Sequence, residues 1–195
     1  MGDFWSDEEL RKRMQQAWKH GREGGTVCGR GACLGNTAAV RAWLPLVCQQ
    51  YGIRSVCDAG AGDLHWIQHV QWPDDPEHAV QCAAFDLIPR HPAVTAFDIT
   101  RDPLPPCDLI LCRMVLIHFD PPRIDRALAL FRQSGRYLAA TQYDNPGKFG
   151  QGSPFNKFDL RVRLGEPLKA VIDGDEDCKL ALWDLKPEVC NPESG

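Results

Sequence analysis

The feature that most restricts how this chain can fold is a short apolar run, Arg54-Ser55-Val56-Cys57-Asp58, that stops at Ala59-Gly60-Ala61-Gly62. Leu64, Ile67, Gln68 and Val70 follow at helical spacing. A strand, a glycine turn and a helix in that order open a parallel α/β sheet. The Asp58-x-Gly60-x-Gly62 turn carries no side chain that blocks approach, so a ligand can reach the backbone amides and the start of the next helix. Asp86 ends the next β-like run (79–85), where a carboxylate can accept two hydrogen bonds from a ribose diol. Asp98-Ile99 ends a third run (94–97), positioned to meet an adenine edge.

The remaining periodicities extend the same architecture. Ser6-Asp7-Glu8-Glu9 is a capping-box pattern that predicts a helix over 7–19, and the glycines at 21, 24 and 25 end it in a flexible loop reaching Gly35. Val40, Trp43, Leu44, Val47 and Cys48 predict a helix over 37–50, with Asn36 as N-cap and a bend at Pro45. Residues 108–115 barely alternate and read as a central strand buried on both faces. Pro121-Pro122 starts a helix that Ser134-Gly135 ends, and 137–140 is a strand. The segments 168–172 and 179–185 flank Asp173-Gly174-Asp175 as an antiparallel hairpin. Only seven residues separate Asp86 from Val94. A parallel crossover normally needs about a dozen or more, so the helix between the second and third strands is expected to be missing. The expected fold is a Rossmann-like three-layer α/β sandwich on a mostly parallel seven-stranded sheet with a C-terminal antiparallel hairpin. Its units are an N-terminal helix and glycine-rich loop (1–35), the main domain (36–186) and a tail (187–195).

Composition narrows the function. Lys and Arg number 22 against 26 Asp and Glu, a net charge of −4 that disfavours a protein whose main task is to coat nucleic acid. The balance is local, because Arg11, Lys12, Arg13, Lys19, Arg22 and Arg30 face one acid, Glu23, between residues 11 and 30. That stretch is a solvated helix face or a phosphate-contacting arm. The nine cysteines include no C-x-x-C pair and several sit in apolar runs, which reads as reduced thiols. No metal site is expected: Cys28/Cys33 and Cys107/Cys112 lack finger-spaced histidines, and His65 and His69 read as exposed helix residues. No run approaches the about 18 apolar residues of a membrane span, and the first residues lack a secretory pattern, so the expected site of action is cytoplasmic.

In sequence order, these motifs resemble the class I S-adenosylmethionine-dependent methyltransferases. Val56-Cys57-Asp58-Ala59-Gly60-Ala61-Gly62-Asp63 is similar to their first motif, Ala84-Phe85-Asp86-Leu87 to the second and Ala96-Phe97-Asp98-Ile99 to the adenine-contacting one. The segment from Asp108 to His118 resembles the fourth-strand motif. More narrowly, Asn36-Thr37-Ala38-Ala39-x-Arg41, Ser153-Pro154-Phe155-Asn156 and Leu180-Ala181-Leu182-Trp183 are similar to a set of small bacterial and phage methyltransferase-like proteins of undefined substrate. The resemblance covers about residues 30 to 186. It implies S-adenosylmethionine as cofactor, with Asp58, Gly60 and Gly62 at its methionine moiety. Asp86 and Leu87 would meet the ribose, and Asp98 and Ile99 the adenine. Cys112 and Arg113 would line the methyl-transfer face. Leu64 stands where many members have a third glycine, and Met114 where an acid is common in the narrower set.

Methyl transfer draws much of its rate from positioning and needs a general base only if the acceptor must lose a proton. His118 is the first candidate base and is otherwise a histidine closing the strand end. Arg113 and Tyr143 are the other catalytic candidates. Arg41, Asp144 and Asn156 are candidate acceptor contacts, each with a plain alternative as turn or surface residue. The acceptor class favoured is a small molecule. A nucleic-acid methyltransferase clamping with the basic stretch and a non-catalytic methyltransferase-like binding protein are the alternatives. The fourth-strand segment lacks the [DN]-P-P-[YF] sequence of amino-group DNA methyltransferases, and no Pro-Cys nucleophile for cytosine carbon-5 is present. A nicotinamide enzyme is disfavoured because position 65 is His where the G-x-G-x-x-G pattern needs glycine.

Overall fold

Seven strands form one sheet in the computed structural model, which describes residues 8, 9, 11, 12, 15, 24–148 and 156–186. They are β1 (Ser55–Ala59), β2 (Gln81–Asp86), β3 (Val94–Ala96), β4 (Cys107–Cys112), β5 (Gly135–Tyr143), β8 (Lys169–Asp173) and β9 (Asp175–Asp184). A separate two-stranded ribbon pairs β6 (Gly147–Lys148) with β7 (Asn156–Lys157). The sheet order is β3-β2-β1-β4-β5-β9-β8, with the first five strands parallel and the β8–β9 hairpin antiparallel. The order reverses between β1 and β4, which places the topological switch point at the end of the glycine turn.

Period-two alternation in the central strands assigns a helix to each face. Val56, Leu109, Leu111, Tyr137, Ala139, Leu180 and Leu182 join one buried cluster with Val40, Leu44, Val47 and Cys48 of helix α1 (Ala38–Tyr51). Their alternates Cys57, Ile110, Cys112, Leu138, Ala140, Ala181 and Trp183 join the other, with Ile124, Ala127, Leu128 and Phe131 of α2 (Pro121–Ser134). Helix, sheet and helix make the expected three layers. Both helices begin and end on local chemistry: Gly52 closes α1 in the left-handed region at φ 63°, and the Asp120 carboxylate caps α2 by accepting from the Arg123 amide at 2.8 Å. A short helix, α3 (Arg161–Leu164), precedes the hairpin.

The sheet edge is barer than the sequence pattern predicts. The seven-residue link from β2 to β3 holds no helix, as its length requires. The helix expected after Gly62 is also absent, and 64–70 contains one 3-10 turn, Ile67–His69. Pro73, Pro76 and a run of acids follow too soon to extend it. Without helices there, Gln81, Cys82 and Ala83 of β2 are exposed. The fourth strand stops at Cys112 instead of running to 115, because Met114 adopts φ 56° and turns the chain. The N-cap of α1 is Thr37, while the Asn36 amide donates to the Arg30 carbonyl at 2.8 Å. The helix continues through Pro45.

Residues 24–35, which composition reads as a flexible loop, fold against the domain. Thr26 is fully buried, and its hydroxyl and the Val27 amide donate to the Asp63 carboxylate at 2.9 and 2.8 Å. Residues 8, 9, 11, 12 and 15 are helical. The rest of the helix predicted over 7–19, Ser153 to Phe155 and the tail 187–195 lie outside the described residues.

Candidate active site

A cavity of about 430 Å³ opens at the C-terminal ends of β1, β2 and β4, within the size range of small-molecule sites. Its floor is the glycine turn. Gly60 sits at φ 115°, and a Cβ there would lie 2.1 Å from Val115 Cγ2; one on Gly62, at φ 59°, would lie 2.5 Å from Cys28 Sγ. Glycine is required at both positions by backbone sign and by space. The turn's amides are not left for a ligand, contrary to the reading from the motif. Gly60 and Ala61 both donate to the Phe85 carbonyl at 2.8 and 3.0 Å, and Gly62 donates to the Asp86 carboxylate at 2.9 Å. What the turn supplies is a stretch of cavity floor with no side chain at its two glycines, packed against Val115 and Cys28 and clamped onto the end of β2.

Asp86 also accepts from the Ile88 amide at 2.8 Å, and burial raises its pKa above the usual carboxylate range. Leu87, Ile88, Phe97 and Ile99 make the apolar wall beyond it, where Phe85 and Phe97 meet edge to face at 5.5 Å. Asp98 lines the same wall but is engaged: Thr100 donates from its amide at 3.0 Å and its hydroxyl at 2.7 Å, and Arg11 and Arg101 approach at 3.4 and 3.3 Å. Beneath the turn lies Asp58. Its Oδ2 is buried and accepts no hydrogen bond among the described residues. Burial, reinforced by the Asp86 carboxylate, pushes its pKa up to about 7 against the pull of Arg113.

Of the other residues singled out from sequence, the cavity wall includes Arg113 and His118. Arg113 is committed to structure: its guanidinium grips the buried Asp173 carboxylate at 2.7 to 3.1 Å, donates to the Gly31 carbonyl at 2.7 Å and lies over the Trp66 ring. His118 ends the 3-10 turn Leu116–His118, and burial pushes its pKa down to about 4, so the ring is neutral at neutral pH. Cys112 is fully buried behind the wall. Tyr143 lies off it, and its hydroxyl donates to Met114 Sδ at 3.5 Å. Arg41 donates to the Leu34 carbonyl at 3.0 Å and Asp144 pairs with Lys179; neither lines the cavity, nor does Asn156, which sits in the β6–β7 ribbon.

Sequence reasoning missed Asp63 and the opposite wall, Cys28 to Ala32. An acid directly after the glycine turn was a readable signal for the first, since a carboxylate there can gather the amides of a neighbouring loop. The second had none, because its packing depends on Asp63 and Arg113, distant in sequence. From the basic stretch, Arg11 and Arg30 line the cavity and Lys12 pairs with Glu8, while Arg13, Lys19 and Arg22 lie outside the described residues.

No protein-family model and no curated protein matches the sequence. Solved structures do match in fold. Magnesium protoporphyrin IX methyltransferase (ChlM) from Synechocystis PCC 6803 with bound SAH aligns at TM-score 0.56 and 13% identity, covering 89% of this chain and 91% of that one. Human N-acetylserotonin methyltransferase (ASMT) in complex with SAM aligns at 0.55 and 12%, covering 76% and 51%. The pyocyanin biosynthetic protein PhzM aligns at 0.50 and 11%, covering 67% and 50%, so the chain spans about half the length of these last two. Together with the strand order and the cavity at its switch point, these likenesses give the chain the class I S-adenosylmethionine-dependent methyltransferase fold.

Proposed function

We propose that the cavity binds S-adenosylmethionine and that the protein transfers its methyl group to a small-molecule acceptor. The observation that carries this reading is the course of the cavity. It runs from the bare turn at Gly60 and Gly62, past the Asp86 carboxylate, to the apolar wall of Leu87, Phe97 and Ile99. A nucleoside bound along that course would set its ribose diol at Asp86 and its base on the apolar wall. Its amino-acid end would lie at the turn, above the one buried carboxylate oxygen without a partner among the described residues. Structures of the same fold hold SAM or SAH. Bound there, the donor supplies an electrophilic methyl group. This chain's residues bind, orient and exclude water, the route by which methyl transfer draws most of its rate. The reading carries with it a cytoplasmic site of action, and among the described residues no helix is long and apolar enough to cross a membrane.

A second reading, a binding protein that keeps the fold without turnover, is favoured by one observation: Asp98 is held by Thr100, Arg11 and Arg101, which leaves it less available to adenine. That reading predicts weak or absent S-adenosylmethionine binding, so thermal unfolding separates the two. A ligand at a hundredfold excess over Kd stabilises a protein by about 2.7 kcal/mol, a Tm rise of roughly 5–10 °C for a chain of this size. S-adenosylmethionine and S-adenosylhomocysteine should produce such a rise and NAD should not. No shift with any of them at millimolar concentration contradicts the proposal.

A further inference from the structure

Five arginines line the cavity, Arg11, Arg30, Arg90, Arg113 and Arg123, against three acids, Asp63, Asp86 and Asp98. The acids already serve as acceptors. Asp63 holds the Val27 and His65 amides, Asp86 those of Gly62 and Ile88, and Asp98 that of Thr100. Three of the arginines form ion pairs, Arg113 with Asp173, Arg123 with Asp120 and Arg11 with Asp98, and Arg90 interacts electrostatically with Asp86. Arg30 differs. It is exposed on the 3-10 turn Arg30–Ala32 at the cavity wall, and among the described residues its guanidinium has no hydrogen bond and no ion pair.

Beyond these engaged carboxylates, the same wall offers little to take up a proton. Burial pushes the His118 imidazole down to about 4, and burial with the neighbouring Asp63 pushes the Cys28 thiol up to about 12. Met114, on the same wall, has no group to take up a proton. A phenol, alcohol or ammonium acceptor must shed a proton to a base matched to the task. An acceptor that arrives already ionised needs no base, and it suits a wall with a spare guanidinium.

We propose that the acceptor is a small-molecule carboxylate, oriented by Arg30, and that the product is its methyl ester; the inference rests on the S-adenosylmethionine reading above. The carboxylate oxygen attacks the methyl carbon, and the C–O bond forms as the C–S bond breaks. The electron pair of that bond stays on sulfur, which passes from sulfonium to neutral thioether. The acceptor's negative charge is cancelled, and no proton is released or taken up. The planar guanidinium fork matches the two carboxylate oxygens.

The test uses the full chain, methyl-labelled S-adenosylmethionine and the deproteinised small-molecule extract of the native host, split on an anion exchanger. Label should enter the retained acidic fraction and be released as methanol by mild alkali, the signature of an ester. Arg30→Gln should raise KM for that fraction roughly tenfold with kcat little changed, as loss of one charge-assisted contact does, and Arg30→Lys should recover part of it. Binding of S-adenosylhomocysteine should be the same in wild type and Arg30→Gln. Label in the unretained fraction, alkali-stable label, or no label while S-adenosylhomocysteine binds would each overturn the carboxylate proposal. A matching fall in S-adenosylhomocysteine affinity in Arg30→Gln would instead assign Arg30 to the donor's own carboxylate and overturn its role here. Absence of S-adenosylhomocysteine binding to wild type would overturn the cofactor reading beneath it.

Discussion

Arg113 at the end of β4 and Asp173 at the end of β8 form a buried ion pair across 60 residues of sequence, with side chains 4% and 0% exposed. The same guanidinium donates to the Gly31 carbonyl, so one side chain ties the central sheet, the C-terminal hairpin and the cavity wall that carries Arg30. Arg113 is thus a positioning residue. Removing one partner leaves a buried charge alone, at a cost of about 3–5 kcal/mol. Asp173→Asn and Arg113→Met should each lower the unfolding free energy measured in urea by that amount. The double variant Arg113→Met/Asp173→Leu should recover most of it, because two apolar side chains leave no charge behind.

Gly60→Ala meets two obstacles, a left-handed φ of 115° and a Cβ 2.1 Å from Val115 Cγ2. It should destabilise by about 2 kcal/mol or more. Adding Val115→Ala should return only the steric part, since the backbone sign is unchanged. Chemical denaturation of both variants measures the division.

Asp58 gives the apo protein a distinctive pH dependence. Its folded pKa of about 7 lies above the ordinary carboxylate value, so the folded state holds a proton that the unfolded state releases from about pH 4. This contribution to stability is fully present below the unfolded pKa and is lost as pH rises through 7. Asp58→Asn should remove that slope and stabilise the apo protein at pH 8 by roughly 1–3 kcal/mol. The variant should also bind S-adenosylhomocysteine more weakly, a combination that a purely structural aspartate would not show.

His118 should stay neutral throughout the working range, because burial holds its pKa near 4. An NMR titration of its ring should show no protonation between pH 5.5 and 8. In a methyl-transfer assay His118→Gln should leave the shape of the pH profile unchanged, whereas a general base at that position would move one limb of it.

Much of the fold was readable because it rests on local patterns. The nearly unbroken apolar run at Leu109 to Cys112 predicts a central strand buried on both faces, and the short link after Asp86 predicts a strand pair without a helix. The helix after Gly62 was misread: four residues fit a helical period, but Leu64 adopts φ 60°, and Pro73 limits the segment. Leu64 stands where glycine is common in the resembled family, and its backbone takes the conformation glycine favours. The cavity was legible at Gly60, Gly62, Asp86 and Ile99, where residue type and position in the motif coincide. Arg113 was also read onto this wall, but its partner Asp173 was not legible, being set by the distant hairpin, and neither was the wall from Cys28 to Ala32, which Asp63 and Arg113 hold in place.

Asp86 is the residue on which the proposed binding of S-adenosylmethionine in this cavity turns. Titration calorimetry with S-adenosylhomocysteine tests it most directly, with wild type beside Asp86→Asn and circular dichroism to show that the variant is folded. Micromolar binding to wild type and a loss of tenfold or more in the folded variant, about 1.4 kcal/mol or greater, are expected. No heat up to millimolar ligand, or equal affinity in the two proteins, would contradict the proposal.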